Sequence, residues 1–346
     1  MKVFGHWRSW NEAANGLDGL VTAETAAGLG EAYVFAAENH RGQFRPAGEP
    51  YVWHLLEVIE LLAVELGVTD GALLTAGLLH DVVEDTNATL AETSQRFGAR
   101  TASLVEAVTM PKLVSSGDKA AARKTYLGGI ANAPVDVVRL KLADRYSNIQ
   151  RLHTHPQVAK QRSYFAETVE HFLPLAGVDV RLARLFTEWA DAYDFLTGEV
   201  ETVDAADKLA ACAHREQIDK TGKPYVDHVR RTAQIATAHD ASEHQQMAAL
   251  LHDSVEDTLL TLDQLRHLGT PPAVVDMVDA LTHRTDEPQQ DYLKRLAQTP
   301  DAILVKRADI EDNQSPQRLA QLDPDTQQRL RAKYRTALDI LDGARP

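Results

Sequence analysis

The chain has 346 residues, more than one ordinary domain of about 100 to 200 residues requires, and 44% of them are hydrophobic. Its formal charge of −14 opposes attraction to a polyphosphate backbone and argues against general nucleic-acid binding. Cys212 is the only cysteine, which excludes an intramolecular disulfide and a cysteine-rich zinc site, and no apolar run approaches the roughly 20 residues of a membrane helix. We therefore expect two domains in a cytoplasmic protein that does not enter membranes.

Three sequence blocks occur twice, in the same order. Residues 40–54, HRGQFRPAGEPYVWH, match residues 214–228, HREQIDKTGKPYVDH, and the outer histidines are equally spaced because 54 − 40 and 228 − 214 both give 14. The block GLLHDVVEDT returns as ALLHDSVEDT, and RLKLADRYSN returns as LVKRADIEDN. Repetition in one order and at similar spacing indicates an internal duplication, and hence two domains of the same kind.

Both copies have the sequence periodicity of helices. Segments such as EVIELLAVELG and FAETVEHFLPLAG carry apolar residues at helical spacing, while the alternation typical of strands is scarce. The first copy continues in a helical extension through WADAYDFL, and the acidic segment GEVETVDAAD begins at Gly198. We therefore predict an all-α fold of two tandem helical domains, residues 1–198 and residues 199–346.

The block HDVVEDT concentrates side chains that bind metals. It follows the apolar run GALLTAGLL, so on a continuous helix His80 and Glu84 lie one turn apart, as do Asp81 and Asp85. Burying these carboxylates beside a core is unfavourable unless a cation or hydrogen bonds compensate them. A divalent metal ion is the simplest compensation.

Two residues elsewhere in the copy complete a ligand set with His80 and Asp81. His54 follows a Gly-Glu-Pro turn, and Asp144 ends the run VVRLKLAD. Two imidazoles and two carboxylates without thiolates suit Mn²⁺, Fe²⁺ or Zn²⁺, with an open position for a water molecule whose pKa the metal lowers. Residues 86–143 hold no further histidine, so we expect one metal per domain. The second copy repeats the ligands as His228, His252, Asp253 and Asp309.

The carboxylates one turn beyond these ligands are the candidate catalytic groups. They are Glu84 and Asp85 in the first copy and Glu256 and Asp257 in the second. Such groups orient the attacking water or protonate the leaving group. The sequence therefore predicts a metal-dependent hydrolase that uses water as its nucleophile.

The first copy resembles the hydrolase half of RelA/SpoT proteins and the stand-alone small alarmone hydrolases, whose pattern runs AHxGQxRxSGEPY, then H, HDVVEDT and KLADRxxN. The resemblance covers most of residues 25–190, and the second copy is similar to small HD-domain phosphohydrolases. Together these resemblances imply two HD-type domains. The resemblance of the first copy also implies a bound metal, usually Mn²⁺, and removal of pyrophosphate from the 3′ position of guanosine tetra- or pentaphosphate. The second copy occupies the place of the synthetase half, so only breakdown is implied. Contacts to the substrate of the first copy are expected from Arg45, Lys141 and Asn148, and contacts to the substrate of the second copy from Asn313.

Several positions depart from the family pattern. Pro46 replaces the lysine of an Arg-Lys pair that flanks the nucleotide, and Arg151 replaces a threonine. Asp219 stands in the second copy where the first has Arg45, and because an aspartate repels phosphate we expect the two sites to take different ligands. The basic segment KLVSSGDKAAARK, residues 112–124, is longer than its counterpart and is either a phosphate-contacting flap or a solvated loop.

Two further functions fit the same residues. One is hydrolysis of another nucleotide or phosphate ester, because one fold can serve many substrates. The other is a non-catalytic, metal-braced binding protein of the antitoxin type. Arg45 favours the alarmone, whereas the changes at Pro46 and Arg151 favour a different substrate. Complete ligand sets in both copies favour an enzyme over a binding protein.

Overall fold

The structure, a computed structural model, describes residues 1–111 and 119–343. Within those ranges the secondary structure is helical and no strand occurs, so the predicted all-α fold is confirmed. The chain divides into two compact units, Met1–His155 with Ser163–Asp191 and Pro156–Arg162 with Ala192–Pro346. The domain boundary after residue 198 stays a prediction. Residues 112–118 of the basic segment, including Lys112, lie outside the described residues.

The chain up to residue 192 forms short helices joined by tight turns. A π-helical turn, Leu61–Glu65, continues the third of them, and a second, Thr168–Phe172, continues the tenth. The α-helices are α1 (Trp10–Leu17), α2 (Ala23–Asn39), α3 (Tyr51–Glu60), α4 (Gly71–Leu79), α5 (Val82–Asp85), α6 (Leu90–Phe97), α7 (Ala99–Val108), α8 (Lys119–Ala131), α9 (Val135–Ile149), α10 (Val158–Glu167) and α11 (Val180–Ala192).

Helix α4 lies in the core of the first unit, in contact with α2, α3, α7 and α9. It begins at Asp70, whose carboxylate accepts hydrogen bonds from two backbone N–H groups of the first turn at 2.9 and 3.2 Å. A Cβ atom on Gly77 would lie 3.1 Å from methyl carbons of Ile59 and Leu62, so this glycine allows α4 to approach α3 closely. The buried side chains of α4 are Leu73, Leu74, Ala76, Leu78 and Leu79.

A narrow turn fixes the start of α3 and thereby the position of His54. Phe44 and Pro50 face each other as an isolated antiparallel bridge, and Gly48 between them has a φ of +92° that favours glycine. Pro50 then leads directly into the helix. The second copy repeats the turn with Gly222 at a φ of +79°.

The rest of the chain repeats this arrangement. Helix α14 takes the place of α4, contacts α12, α13, α17 and α19, and begins with a capping box between Ser242 and Gln245. None of the helices described in either copy is both long and apolar enough to cross a lipid bilayer. The helices are α12 (Val203–Ala213), α13 (Val226–Ala238), α14 (Glu243–Leu251), α15 (Ser254–Asp257), α16 (Leu262–His267), α17 (Pro272–Leu281), α18 (Gln289–Leu296), α19 (Pro300–Asn313), α20 (Pro316–Leu319) and α21 (Pro324–Gly343).

The block HDVVEDT is not one continuous helix, which corrects the prediction. Helix α4 ends before His80, and α5 begins after Asp81. The His80 ring donates a hydrogen bond to the carbonyl of Gly77 at 2.9 Å, the same carbonyl that a continuing helix would use to bind the Asp81 N–H. The backbone N–H of Asp85 still bonds the Asp81 carbonyl at 2.8 Å, so the one-turn relation between these two residues is kept.

Candidate metal centres

Four predicted ligands of the first copy meet at one point. His54 comes from α3, His80 and Asp81 from the break between α4 and α5, and Asp144 from α9. One ligand atom of each lies within 4.8 Å of those of all the others. Asp81 is half-buried and the other three are buried, so the cluster is sheltered but one ligand remains accessible.

The spacing of these atoms fits a single divalent cation. The Nε2 atoms of His54 and His80 are 3.0 Å apart, and His80 Nε2 is 2.9 Å from Asp81 Oδ2. Asp144 Oδ1 lies 3.4 Å from His54 Nε2 and 3.5 Å from His80 Nε2. Ligands bonded at about 2.1 Å to one ion are about 3.0 Å apart at a right angle and about 3.4 Å apart at the tetrahedral angle. The observed separations, from 2.9 to 3.5 Å, lie within 0.1 Å of that range.

Hydrogen bonds on the far side of each ring determine which nitrogen faces the cluster with a lone pair. Ser147 Oγ donates its proton to Glu57 Oε2 at 2.6 Å, so it accepts from His54 Nδ1, 2.8 Å away. His80 Nδ1 likewise donates to the carbonyl of Gly77. Two Nε2 lone pairs at 3.0 Å repel each other unless a proton or a cation lies between them. The donor chemistry therefore fits a metal.

The charges around the cluster favour a cation at its centre. Burial alone would raise the pKa of Asp144, but Lys141, 2.8 Å from its Oδ2, and the two imidazoles hold this pKa well below its usual range. Burial alone would lower the pKa of His80, but Asp81 and Asp144 raise it well above its usual value. The carboxylates thus stay ionised and attract positive charge, which a divalent cation supplies.

The second copy assembles a similar but looser group. Ligand atoms of His228, His252 and Asp309 lie within 4.8 Å of one another. The predicted fourth ligand, Asp253, adjoins both rings, with its Oδ2 3.0 Å from His252 Nε2 and 3.6 Å from His228 Nε2, but it is not part of that mutual group. His252 Nε2 is buried and, although Asp253 Oδ2 is close, it forms no hydrogen bond of acceptable geometry among the described residues, so its lone pair could bind a metal.

The residues that orient His54 differ from those that orient its counterpart, His228. Asp312 of α19 accepts a hydrogen bond from His228 Nδ1 at 2.7 Å, and Arg231 of α13 donates to Asp312 at 2.6 Å. Asp312 is the counterpart of Ser147, and Arg231 is the counterpart of Glu57. In the first copy the acidic side chain is therefore on α3, the helix that carries His54. In the second copy it is on α19, which faces the helix that carries His228.

Arginines compensate the buried acid in both copies. The Glu57 side chain is inaccessible and pairs with Arg45 at 3.0 Å and Arg151 at 2.7 Å. In the second copy, Arg318 lies 2.7 Å from Asp312 and acts together with Arg231. A buried carboxylate without such partners would be strongly destabilising.

We expect Ser147→Ala to weaken metal binding at the first site about 10- to 100-fold, the usual effect of losing an outer partner of a metal ligand. His54 Nδ1 would lose its acceptor, so the ring would no longer be held with Nε2 towards the cluster. The dissociation constant can be measured by competition with a chelating dye, in chains whose second site carries Asp253→Ala. Ser103→Ala, at an exposed serine of α7, is the control. Equal constants for both variants would show that Ser147 does not position the ring.

Glu84 and Asp85 lie beside the first cluster. Glu84 Oε2 accepts a hydrogen bond from the Met110 N–H at 2.8 Å, and the Tyr51 hydroxyl lies 2.5 Å from Asp81 Oδ2 and 3.2 Å from Asp85 Oδ2. Burial raises the pKa of both Glu84 and Asp85, which brings each towards the range useful to a general acid or base. In the second copy, burial has the same effect on the pKa of the counterparts Glu256 and Asp257.

Three of the predicted substrate-binding residues contact the carboxylate of a predicted metal ligand. Asn148 donates to Asp144 Oδ1 at 2.7 Å, and Lys141 pairs with the other oxygen of the same carboxylate. Asn313 donates to Asp309 Oδ1 at 2.6 Å. Contact of these residues with a nucleotide stays a prediction, and their first effect is to orient the carboxylates.

Arg45 and Asp219, the positions that differ most in charge, both serve local structure. The Arg45 guanidinium donates to Glu57 and to the Ser147 carbonyl, and only 13% of its side chain is exposed. The Asp219 carboxylate accepts from the Thr221 N–H at 2.8 Å and from another backbone N–H of its own turn. The expectation that the two sites take different ligands therefore needs support from other residues.

The described part of the basic segment is engaged in the first unit. Arg123 forms a two-fold ion pair with Glu167 at 2.8 and 2.6 Å, and Lys124 is exposed. Arg123 is thus committed to structure, and the role of this segment as a flap stays a prediction.

Sequence reasoning missed the residues that orient the ligands. Tyr51 lies three residues before His54, and Tyr225 lies three residues before His228. Each tyrosine contacts the aspartate of the HD pair of its copy. Glu57 and Ser147 were also missed, although each lies three residues after a ligand on a helix, a spacing that places it on a neighbouring face. Retention of the tyrosine in both blocks was the available signal.

Comparisons with known proteins agree with the duplicated blocks. The family model described as HD domain matches residues 32–179 and 206–314. A guanosine-3′,5′-bis(diphosphate) 3′-pyrophosphohydrolase of Aquifex aeolicus is 41% identical over 146 residues, which are 42% of this chain and 20% of that protein. A GTP pyrophosphokinase of Myxococcus xanthus is 40% identical over 153 residues, 42% of this chain and 20% of that protein.

Further similarities are of the same kind. The bifunctional (p)ppGpp synthase/hydrolase SpoT of Escherichia coli is 40% identical over 152 residues, 43% of this chain and 21% of that protein. The chain thus spans about a fifth of the length of the curated relatives it matches. A solved structure of a metazoan orthologue of SpoT, described as hydrolysing ppGpp, is 30% identical with a TM-score of 0.44, and covers 47% of this chain and 93% of its own.

Proposed function

The chain belongs to the HD-domain family, and on that premise we propose that its N-terminal site removes the 3′-pyrophosphate of guanosine tetra- or pentaphosphate. The observation that carries the proposal is the convergence of His54, His80, Asp81 and Asp144, with Glu84 beside them. Relatives named as hydrolases of this nucleotide support the choice of substrate.

The residues around the cluster have separate tasks in this reaction. A divalent cation bound there would polarise a phosphoryl oxygen and lower the pKa of water. Hydrolysis adds the oxygen of water to the phosphorus next to the 3′ oxygen, breaks the bond between them and delivers a proton to the 3′ oxygen. Glu84 and Asp85 are the groups placed to take and return that proton, since burial raises the pKa of each. The Tyr51 hydroxyl lies within hydrogen-bonding distance of both Asp81 and Asp85 and so fixes the two carboxylates relative to each other.

We propose Mn²⁺ as the metal, one ion in each copy. Imidazole and carboxylate ligands without thiolate support this choice, and Fe²⁺ and Zn²⁺ are the alternatives to be separated by metal analysis. We also infer a cytoplasmic location, which the single, buried and unpaired Cys212 supports. The partner of the first site is then a small-molecule nucleotide.

One observation favours a second candidate function, the hydrolysis of a different nucleotide or phosphate ester. The Arg45 guanidinium donates to Glu57 and the Ser147 carbonyl, and only 13% of its side chain is exposed, so little of its planar face is accessible to a guanine base. A non-catalytic, metal-braced binding role is disfavoured by the carboxylates with raised pKa, Glu84 and Asp85, which a scaffold does not need.

A nucleotide panel tests the proposal. The purified chain with added Mn²⁺ is incubated with guanosine tetra- and pentaphosphate, other nucleotides and phosphate monoesters, and the products are separated by ion-exchange chromatography. We expect guanosine 5′-diphosphate and pyrophosphate from the tetraphosphate, loss of activity with a chelator and recovery with Mn²⁺. Preference for another panel member would favour the second candidate. No turnover of any member by metal-loaded protein would favour a binding role.

A further inference from the structure

A cavity of about 530 Å³ in the second copy runs from the metal ligands to the last helix, α21. We propose that this cavity binds a phosphate monoester with an aromatic or apolar group, and that Lys333 and Tyr334 of α21 determine its specificity. The inference rests on the proposed function only in taking the second cluster to be hydrolytic.

Helix α21 is packed firmly enough to form a wall of the cavity. It contacts α18 and α19, Ala337 and Leu341 are buried, and Asp342 forms an ion pair with Arg307 of α19. Helix α19 also carries the ligand Asp309. The side chains of α21 that line the cavity are therefore fixed relative to the candidate metal centre.

Two lysines of the cavity lack an anionic partner. Lys306 pairs with Asp309 at 2.8 Å, and Arg318 pairs with Asp312 at 2.7 Å. Lys220 and Lys333 are exposed at the rim and have no ion-pair partner among the described residues. The same cavity is also lined by five carboxylates, Asp219, Asp253, Glu256, Asp257 and Asp309. A cation at the candidate centre would neutralise the carboxylates next to it, and the two unpaired lysines would then attract an anion. Phosphate next to a metal centre is such an anion.

The remaining lining suits the organic part of the ligand. Leu281, Leu330 and Ala337 line the same cavity, together with the ring of Tyr334. Tyr334 is half-buried, and its hydroxyl has no hydrogen-bond partner among the described residues, so it is free to donate to the ligand. A volume of about 530 Å³ lies within the range of about 300 to 1,000 Å³ usual for small-molecule sites.

The first copy offers a different environment next to its final motif. The cavity beside Asn148 is about 100 Å³ and is lined by Arg45, Arg151 and His155, with Tyr164 of α10. The Tyr164 ring there lies against the Arg145 guanidinium, 4.8 Å from its centroid. The helices beside the final motifs thus present different side chains, with Tyr164 on α10 in the first copy and Lys333 and Tyr334 on α21 in the second.

The test silences the first site with Asp81→Ala and uses p-nitrophenyl phosphate as the aromatic monoester, with added Mn²⁺. We expect Lys333→Ala to raise KM about 10- to 100-fold with kcat little changed, since it removes one charge-assisted hydrogen bond to the phosphate. Tyr334→Phe should raise KM about 2- to 10-fold. Lys333→Arg should restore most of the affinity. Arg335→Ala, which removes the same charge from an exposed neighbouring position of α21, is the control.

A binding measurement separates this inference from the hydrolytic function. Inorganic phosphate is titrated calorimetrically into Mn²⁺-loaded protein, where Lys333→Ala but not Arg335→Ala should weaken binding about 10- to 100-fold. Phosphate binding that depends on Lys333 without turnover of the monoester would uphold the inference and overturn the hydrolytic function of this copy. Equal KM and equal phosphate affinity for Lys333→Ala and Arg335→Ala would overturn the inference.

Discussion

Asp81→Ala should abolish release of pyrophosphate from guanosine tetraphosphate, lowering kcat/KM about 1,000-fold or more. Asp81 Oδ2 lies 2.9 Å from His80 Nε2 and 3.4 Å from His54 Nε2, so the variant loses one of four converging ligand atoms. A bound metal contributes several kcal/mol of charge stabilisation in the transition state, and about 4 kcal/mol corresponds to a factor of about 1,000. Initial rates over a range of substrate concentrations give kcat/KM directly.

The duplication supplies a matched control. Asp253→Ala makes the same change at the counterpart in the second copy, and it should leave alarmone hydrolysis nearly unchanged. Elemental analysis should show about one metal per chain in either variant, against two in the parent. Loss of alarmone hydrolysis in Asp253→Ala, with activity kept in Asp81→Ala, would place the chemistry in the second copy.

Glu84→Gln should lower kcat for alarmone hydrolysis about 100- to 10,000-fold while the metal content stays unchanged, because it removes the general acid–base group and no ligand. Glutamine retains an oxygen that accepts the Met110 N–H, so the local backbone is held as before. The measurement pairs steady-state kinetics with metal analysis of the same preparation.

Glu256→Gln, the same substitution in the second copy, is the control for Glu84→Gln and should not affect alarmone turnover. Full activity of Glu84→Gln with metal bound would exclude Glu84 as the proton-transfer group and leave Asp85 as the remaining carboxylate beside the cluster. Loss of metal together with activity would instead assign Glu84 a structural part in the centre.

The fold and the composition of the centre were accessible from sequence because each depends on local pattern. Helical periodicity predicted the all-α fold, which is confirmed, and the resemblance to HD proteins is confirmed by the family match over both copies. His54, His80, Asp81 and Asp144 were grouped because carboxylates and imidazoles recur at matched positions. The structure brings these four together, while their roles as ligands stay predictions.

Other features depend on contacts that no linear pattern contains. At the helix break, the His80 ring donates to the carbonyl of Gly77, a contact that depends on the rotamer of this histidine as well as on its identity. The engagement of Arg45 depends on Glu57 and on a carbonyl 102 residues away, at Ser147. The family resemblance implied an arginine that contacts the nucleotide, whereas in the fold this side chain donates to Glu57 and to the Ser147 carbonyl.

The buried acid that helps to orient the histidine lies on α3 in the first copy and on α19 in the second. Single helices of the two copies are therefore not interchangeable. A crossover that joined the second copy's α13 to the first copy's α9 would place Arg231 opposite Ser147, with no carboxylate to receive it. The reverse chimera, α3 with α19, would place Glu57 against Asp312, two acids beside one imidazole. The reverse chimera buries two acids side by side, which costs about 3 to 5 kcal/mol, whereas the first loses less because the Arg231 side chain is 35% exposed and can reach solvent. A chimera of the two copies should therefore keep its stability only if these helices are exchanged as pairs, α3 with α9 or α13 with α19.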